Sequence, residues 1–470
     1  KHMAESSFQL FQKQQKFLAD LKTKRPDLFS VEKIFNEDEV LPQIGITALD
    51  PKRPEGFLRL YPQDFIVEEI QTDKTLSMIE PRELPPQKPE MEKFTLYADL
   101  VKVGISTLEA INRLASALQI PPEKIGYAGI KDAQALSSQR IALPHITYEQ
   151  VCDLKLESFF LANFFYGQGS IANGNLAGNR FTIFVRTEKH FPREALKEEL
   201  SALKEVGFLN YYHTQRFGGS RLLSHTLGRL ILQAKYEEAV KTFLTAPNIY
   251  NIKIIQSLRE RAAEKYGEWE EMKKIFAILP HTFQNEIRLL EYLEHEPRNF
   301  IGSLIHLQDQ TQFWIYAYAS LVFNQYLSWA IQNNFNLPEK LPLLLTPDLR
   351  EQNIYADFLI EDQIQNIGQA LRPFKFIQLK SRFNPTRVFP ANILAKSLPC
   401  GVILSFHLDK GAYATTFLSN LFKLKQGLPL PGWLNRDEID AKKILEIGTI
   451  AETKEKLKDY IFSVVDYEKE

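Results

Sequence analysis

The sequence predicts an α+β protein in which a sheet-containing region is interrupted by a helical one. Short segments of alternating apolar residues, typical of half-buried strands, follow one another from residue 56 to about residue 205. From residue 222 to residue 332 the apolar residues recur mainly with the period of a helix, and strand-like runs return at 401–407. Strands, then helices, then strands are typical of a sheet domain that carries an insertion.

The first 55 residues predict a helical N-terminal extension. Apolar residues have roughly helical spacing between residues 6 and 36, among Gln and Lys side chains, so we expect this segment to pack through one face. Prolines then predict a loop before Gly56. We expect residues 1–5 to be a cloning remnant, because the His-Met pair in them is a common vector junction.

Local signals place the elements that follow. Residues 57–60 and 65–70 predict two strands separated by a Pro-Gln-Asp turn. A capping-box pattern at 106–109 predicts a helix over 107–118. The spacing of apolar residues in later segments predicts strands at 125–128 and 181–186 and helices at 314–329 and 413–424.

Composition excludes several classes of protein. The chain has 470 residues, 44% of them apolar and 24% charged, with 57 Lys and Arg against 58 Asp and Glu, which is a globular composition and not a disordered one. No apolar run approaches the ~18 residues of a membrane span, so we expect no membrane partner. A formal charge of -1 removes the simplest argument for nucleic-acid binding, although a basic groove on a neutral body stays open.

The cysteines and histidines argue against a disulfide scaffold and against zinc. Cys152 and Cys400 lie far apart, which favours a reducing compartment, and we expect the cytoplasm. The nine histidines are scattered, with no pair at the spacing of zinc ligands, so no metal is expected. A phosphate-loop interpretation of 126–132 fails because Asp132 stands where Ser or Thr would hold magnesium.

Asp132 is the strongest candidate for chemistry. It follows Gly129, Ile130 and Lys131 at the end of a strand predicted to be buried. An aspartate carboxyl has an ordinary pKa of about 3.9, so it is ionised at neutral pH and can act as a nucleophile without an activating base. The alternative is structural: Asp132 caps the following turn or pairs with Lys131.

Six segments of the chain, taken together, carry a resemblance. They are Asp64-Phe65-Ile66-Val67-Glu68-Glu69; Gly129-Ile130-Lys131-Asp132 followed by Gln139; Gly178-Asn179-Arg180-Phe181; Asn210-Tyr211 with Gln215-Arg216-Phe217-Gly218; Phe323-Asn324; and Gly411-Ala412-Tyr413-Ala414-Thr415. In content and order, from about residue 56 to residue 423, they resemble the TruD family of tRNA pseudouridine synthases.

The resemblance implies both a fold and an activity. It implies a pseudouridine synthase catalytic domain, an antiparallel sheet with flanking helices, that carries a TruD-type insertion domain, with RNA in the cleft between them. The corresponding boundaries are 1–55 for the extension, 56–205 and 381–470 for the catalytic domain, and 206–380 for the insertion. The implied activity is isomerisation of a specific uridine in tRNA, by default at position 13, with no cofactor. We expect a monomer.

The same resemblance assigns catalytic roles by motif. Asp132 corresponds to the attacking aspartate, and Arg59 to a basic residue that pairs with it and keeps it ionised. Asn179 corresponds to the residue that fixes the aspartate, and Phe181 to an aromatic that stacks on the flipped base. Asn179 and Phe181 are two positions apart on a strand and so share one face. The alternative for Phe181 is an ordinary core residue.

RNA contacts are expected at three places. Gln215 and Arg216 lie in a family motif, and Lys131 either shares the role of Arg59 or, as the favoured alternative, is solvated or faces a phosphate. The third place is the stretch 371–387, which has no acidic residue and combines positive charge with phenylalanines, as phosphate contact and base stacking require. Its members are Arg372, Lys375, Lys380, Arg382 and Arg387, with Phe374, Phe376 and Phe383. The alternative is a basic face whose phenylalanines lie in the core.

One rival function comes from a different class. A protein with the same fold could bind RNA, or act as an RNA chaperone, without catalysing any reaction. The presence of Asp132, Asn179 and Phe181 together favours the enzyme.

Overall fold

The computed structural model describes residues 7–82, 85–87, 94–156, 158–427 and 430–458. The expected cloning remnant at 1–5 lies outside the described residues. The chain forms two compact units: Lys52–Phe208 with Arg387–Lys469, called the sheet unit, and Lys1–Pro51 with Leu209–Thr386, called the helical unit. The predicted boundaries at 55, 205 and 380 stay predictions about domains, because compactness does not show independent folding. Among the described residues, no helix is long and apolar enough to span a membrane.

The strands, in chain order, are β1 Glu55–Phe57, β2 Phe65–Ile70, β3 Thr95–Lys102, β4 Gly126–Tyr127, β5 Leu136–Pro144, β6 Phe159–Gly167, β7 Gly178–Arg186, β8 Phe208–Leu209, β9 Lys340–Pro342, β10 Phe383–Pro385, β11 Arg387–Val388, β12 Ala391–Leu398, β13 Gly401–Asp409 and β14 Lys423–Lys425.

The α-helices are α1 Ser7–Lys24, α2 Glu37–Val40, α3 Thr107–Leu118, α4 Arg193–Val206, α5 Ser224–Leu232, α6 Tyr236–Thr245, α7 Lys253–Glu264, α8 Trp269–Phe276, α9 Gln284–His295, α10 Phe300–His306, α11 Gln308–Gln332, α12 Leu349–Asn353, α13 Ala356–Glu361, α14 Ile367–Leu371, α15 Ala414–Ser419, α16 Ala441–Ile444 and α17 Ala451–Lys456. Short 3-10 helices cover Pro26–Phe29, Pro42–Ile44, Pro62–Asp64, Pro122–Lys124, Tyr148–Gln150, Thr214–Phe217 and Gly219–Arg221.

The sheet unit is built on a mixed ten-stranded sheet. Seven strands follow the order β12-β13-β7-β2-β5-β3-β6, while β1 pairs with β14 and β7, and β4 pairs with β5. The expected antiparallel pairing holds for most neighbours, but β2–β5 and β1–β14 are parallel. A parallel pair requires a long crossover connection. Between β2 and β5 the chain supplies one, which contains β3, α3 and β4.

Strand β7 runs through the middle of the sheet and sets the register of the core. Phe181 on β7 lies opposite Val67 on β2 and Phe406 on β13. These side chains belong to one buried cluster on a single face of the sheet. Because alternate residues of a strand share a face, Asn179 lies on the same side.

Two predicted elements differ from the structure. The strand predicted at 57–60 ends at Phe57, since Arg59 adopts a left-handed backbone with φ 58° that interrupts the strand. The helix predicted at 413–424 covers only Ala414–Ser419, and the chain then joins the sheet as β14. There Lys423 donates its amide N–H to Pro54 and pairs in parallel with β1, so sheet pairing overrides the local helical period.

The helical unit is organised around α11, which packs on α5. At Gly228 on α5 an added Cβ would lie 2.0 Å from the Trp314 carbonyl oxygen, so only glycine permits this close approach. Asn324, from the Phe323-Asn324 motif, is fully buried and exchanges hydrogen bonds with the Tyr212 backbone at 2.8 and 2.9 Å. The predicted N-terminal helix is confirmed as α1, where Gln14 donates to the Thr282 hydroxyl at 2.7 Å.

Candidate active site

Asp132 lies in the loop between β4 and β5, and both of its carboxylate oxygens have partners. Oδ2 lies 2.6 Å from Nη2 of Arg59, and Oδ1 accepts the amide N–H of Gln134 at 2.9 Å. The side chain is 34% exposed, which leaves it accessible to a ligand. Asp132 therefore caps the following turn, as the structural alternative predicts, but it pairs with Arg59 and not with Lys131.

Arg59 is held in an unusual backbone conformation that directs its guanidinium to Asp132. A left-handed φ is uncommon for a residue other than glycine, and such strained conformations concentrate at functional sites. The guanidinium carbon stands 4.2 Å from the centroid of the Phe65 ring, and the side chain is only 10% exposed. Burial lowers the pKa of the Arg59 guanidinium, while the Asp132 carboxylate opposes that shift. The planar cation is thus stacked on one side and ion-paired on the other.

The backbone of the Asp132 loop is tied to helix α3 and strand β5. Thr107, the first residue of α3, donates its hydroxyl to Oε1 of Gln139 at 2.8 Å and accepts the amide N–H of Lys131 at 2.9 Å. Gln139 donates its own amide N–H to the Gly129 carbonyl at 2.8 Å. Both side chains are fully buried, so the loop is fixed from inside the protein. The capping-box pattern placed Thr107 on a helix, but no local signal indicated this contact.

Lys102, the last residue of β3, is a functional candidate that the sequence did not indicate. Its side chain is fully buried, and its ammonium donates to the carbonyl oxygens of Ile105 at 2.9 Å, Lys131 at 3.3 Å and Asp132 at 2.8 Å. Burial lowers the pKa of Lys102 to about 8. A lysine that ends an apolar strand ordinarily reaches solvent, so only the folded structure shows it beneath the loop.

Lys131 does not face solvent, and the expectation of a solvated or phosphate-facing side chain is wrong for the free protein. Its side chain is 5% exposed, and its Nζ lies 2.7 Å from Oε2 of Glu69. The same ammonium donates to Oδ1 of Asn179 at 2.8 Å. A buried carboxylate and an amide oxygen hold the cation inside the sheet unit, where an unpaired charge would be costly.

Asn179 contacts the residue next to Asp132 rather than Asp132 itself. The described residues show no hydrogen bond between the Asn179 and Asp132 side chains; the amide oxygen of Asn179 accepts from Lys131. Any effect of Asn179 on the aspartate therefore passes through Lys131, whose peptide bond continues into Asp132.

Phe181 lies in the core of the sheet unit and is 7% exposed. Its ring stacks on Phe406 with centroids 5.5 Å apart and planes at 27°, and it meets Phe65 edge to face at 6.2 Å. Phe406 covers one face of the ring, so a flipped base would have to use the other. Phe181 therefore contacts Phe65, the same ring over which the Arg59 guanidinium lies.

The residues expected to contact RNA divide by exposure. Arg372, Lys375, Lys380, Arg382 and Gln215 are exposed, whereas Arg216 and Arg387 are half-buried. Of the three phenylalanines, Phe374 is buried against Tyr236 and Phe383 is 52% exposed on β10. The two alternatives for this stretch therefore each hold for part of it: Phe374 is a core residue, and Phe383 is free to stack.

The geometry allows one kind of chemistry directly. An accessible carboxylate that is paired with a buried guanidinium can attack an electrophilic carbon of a ligand. In the part of the chain that is described, no group of three or more His, Cys, Asp or Glu side chains could hold a metal ion.

The fold matches that of a solved protein. The crystal structure of a Methanosarcina mazei protein assigned the name tRNA pseudouridine synthase D (TruD) aligns with a TM-score of 0.62 and 22% identity, over 82% of this chain and 98% of that one. The class of fold is therefore that of a TruD-type pseudouridine synthase, and the predicted α+β class is confirmed.

Comparison of sequences identifies the family. The model of the family described as tRNA pseudouridine synthase D (TruD) matches residues 44–343. A Methanocaldococcus jannaschii protein assigned that name is 31% identical over 286 residues, which are 60% of this chain and 70% of the relative. A second, from Syntrophotalea carbinolica, is 28% identical over 385 residues, which are 80% of this chain and 85% of the relative. The chain belongs to the TruD family of tRNA pseudouridine synthases, which isomerise uridine to pseudouridine.

Proposed function

We propose that this chain converts one uridine of tRNA, by default the uridine at position 13, into pseudouridine with Asp132 as the nucleophile. The observation that carries the proposal is the Asp132 carboxylate, one-third exposed and paired with Arg59 at 2.6 Å in a loop whose backbone is fixed from inside. Arg59, Asn179 and Phe181 complete the proposed catalytic group. The monomeric state and the cytoplasmic location stay predictions.

The proposed reaction balances without a cofactor. The target nucleotide leaves the base stack, and the Asp132 carboxylate adds to it, at either the base or the sugar. The bond between N1 and C1′ breaks, the uracil rotates, and a bond forms between C5 and C1′. The bond between Asp132 and the nucleotide then breaks, which restores the carboxylate. The proton of C5 is released and N1 acquires one, so the product is an isomer of the substrate.

Tritium release from tRNA labelled at C5 of uridine tests the proposal. An active enzyme releases about one tritium for each uridine converted, whereas an RNA-binding protein of the same fold binds the tRNA and releases none. Mapping pseudouridine in tRNA from cells that lack the protein identifies the position. A pseudouridine at position 13 that persists in those cells would contradict the default assignment.

We expect substitutions in the exposed basic stretch to weaken tRNA binding and to reduce its dependence on salt. Arg372→Ala and Lys380→Ala should each make the negative slope of log affinity against log salt less steep by about one unit, because each side chain would neutralise one phosphate. Phe383→Ala should weaken binding by about 1 to 3 kcal/mol with an unchanged slope, because stacking involves no counterion. Filter binding at several salt concentrations measures both quantities.

Arg350→Ala is the matched control for the basic stretch, because this arginine is 91% exposed in the same unit and is paired with Asp348. Its variant should retain the wild-type affinity and slope. Unchanged slopes in both the Arg372 and Lys380 variants would place the RNA surface elsewhere.

We expect Phe181→Leu to reduce both stability and catalysis. The substitution removes part of a buried ring, which should lower the free energy of unfolding by about 1 to 2 kcal/mol. If the face opposite Phe406 also stacks on the flipped base, the single-turnover rate falls about tenfold or more, since ~1.4 kcal/mol corresponds to that factor. Phe406→Leu is the control: it removes the stacked partner from the same cluster and should lower stability similarly with little change in rate. Equal rates for the two variants would make Phe181 a core residue only.

A further inference from the structure

Among the described residues of the sheet unit, two lysines are fully buried, and their surroundings differ. Lys442 forms ion pairs with Glu68 at 2.7 Å and Glu80 at 2.6 Å, which is how buried cations are ordinarily neutralised. Lys102 forms no ion pair with a carboxylate among the described residues. Its partners are three backbone carbonyls, two of which belong to Lys131 and Asp132.

The three carbonyls fit an ammonium group and not a neutral amine. An ammonium has three donors and no acceptor, so each N–H can meet one carbonyl oxygen. A neutral amine has two N–H groups and one lone pair, and its lone pair would face an oxygen. The geometry therefore fits the charged form better, although burying a cation without a carboxylate is costly. An apolar side chain at this position could not donate to the three carbonyl oxygens.

We infer that Lys102 is a positioning residue for the proposed reaction: its ammonium fixes the carbonyls of Lys131 and Asp132 and so holds the Asp132 carboxylate in place for attack. Arg59 holds the same residue through its side chain, so Asp132 is fixed at both ends. The inference rests on the proposed function, because it assigns Lys102 a purpose only if Asp132 reacts.

The charged groups facing Lys102 set its response to pH. The residues paired with it in register on the neighbouring strands, Ser137 on β5 and Phe159 on β6, are uncharged. Burial lowers the pKa of Lys102, Asp132 opposes that shift and Lys131 adds to it, so that the net pKa is about 8. Above about pH 8 the folded protein loses this proton, one carbonyl loses its donor, and the loop loosens.

Loss of rate at high pH can be distinguished from unfolding. Between about pH 8 and the ordinary lysine value of 10.5, the unfolded chain binds more protons at this residue than the folded chain does. The contribution of Lys102 to the free energy of unfolding therefore rises with pH in this window. We expect the reaction rate to fall over the same window in which this contribution to stability increases.

The test measures single-turnover rates and tRNA affinity from pH 6.5 to 9.5 for the wild type, Lys102→Met, Lys102→Gln and Lys442→Met. At pH 7 we expect both Lys102 variants to react at least about tenfold more slowly, with tRNA affinity within about twofold of wild type. Their remaining activity should lack the decline that the wild type shows above pH 8. Lys442→Met, the matched buried lysine, should lose stability but keep that decline and a rate within about threefold of wild type.

Several outcomes overturn the inference. A Lys102→Met or Lys102→Gln rate within about twofold of wild type removes the positioning role, as does a variant that keeps the wild-type decline at high pH. If both variants fail to fold, a wild-type rate that stays constant up to pH 9.5 also overturns the inference. Asp132→Asn distinguishes failure of the proposed function from failure of the role of Lys102. If Asp132→Asn stays active, the proposed function fails. If Asp132→Asn is inactive and Lys102→Met reacts at the wild-type rate, only the role of Lys102 fails.

Discussion

Asp132→Asn is expected to abolish pseudouridine formation, with a single-turnover rate at least about a thousandfold below wild type, or ~4 kcal/mol in barrier. The amide has nearly the shape of the carboxylate but lacks the charge that attacks the nucleoside. Its oxygen can still accept the Gln134 N–H, so the turn after residue 132 should survive. The measurement is tritium release from labelled tRNA under single-turnover conditions.

The same variant should keep its fold and its affinity for tRNA. The circular dichroism spectrum should match wild type, and the dissociation constant for tRNA should change by less than about threefold. The amide N–H₂ group would face Arg59, where two donors meet, so a small loss of melting temperature is expected. Retention of even a tenth of the wild-type rate corresponds to a barrier only ~1.4 kcal/mol higher and would contradict the assignment of Asp132 as nucleophile.

Arg59→Met is expected to have the second-largest effect, a decrease of about ten- to a hundredfold in the single-turnover rate, or ~1.4 to 2.7 kcal/mol. Methionine keeps apolar contact with the Phe65 ring but removes the cation 2.6 Å from Asp132. The carboxylate then loses both its charge partner and the hydrogen bond that orients it. Because Asp132 is one-third exposed, water replaces part of this interaction, and we expect less than the full cost of breaking a buried pair.

Arg59→Lys should retain more activity than Arg59→Met. It restores a cation but not the planar group that lies on Phe65 while pairing with Asp132. Arg113→Met serves as a control, since it breaks a partly buried ion pair with Glu109, one turn away on α3, and should leave the rate within about twofold of wild type. An Arg59→Met rate within about threefold of wild type would show that the reaction does not depend on the pair.

The sequence determined the elements whose signals are local. The capping box sets the start of α3, because the Ser106 hydroxyl accepts the Glu109 N–H in the folded protein as the pattern predicts. Strands β2 and β7 follow from their apolar content, and the six dispersed motifs identify the family. The resemblance also predicts that Arg59 pairs with Asp132, and the structure places the two side chains in contact.

Only the tertiary structure decided the surroundings of each site residue. The left-handed backbone of Arg59, the burial of Lys131 and the position of Lys102 beneath the loop depend on β2, β3, β5 and β7 meeting in one sheet. No periodicity or cap specifies such contacts, because their partners are far apart in the chain. Whether a lysine reaches solvent or is held by carbonyl groups depends on what packs around it, and that packing exists only once the strands have paired.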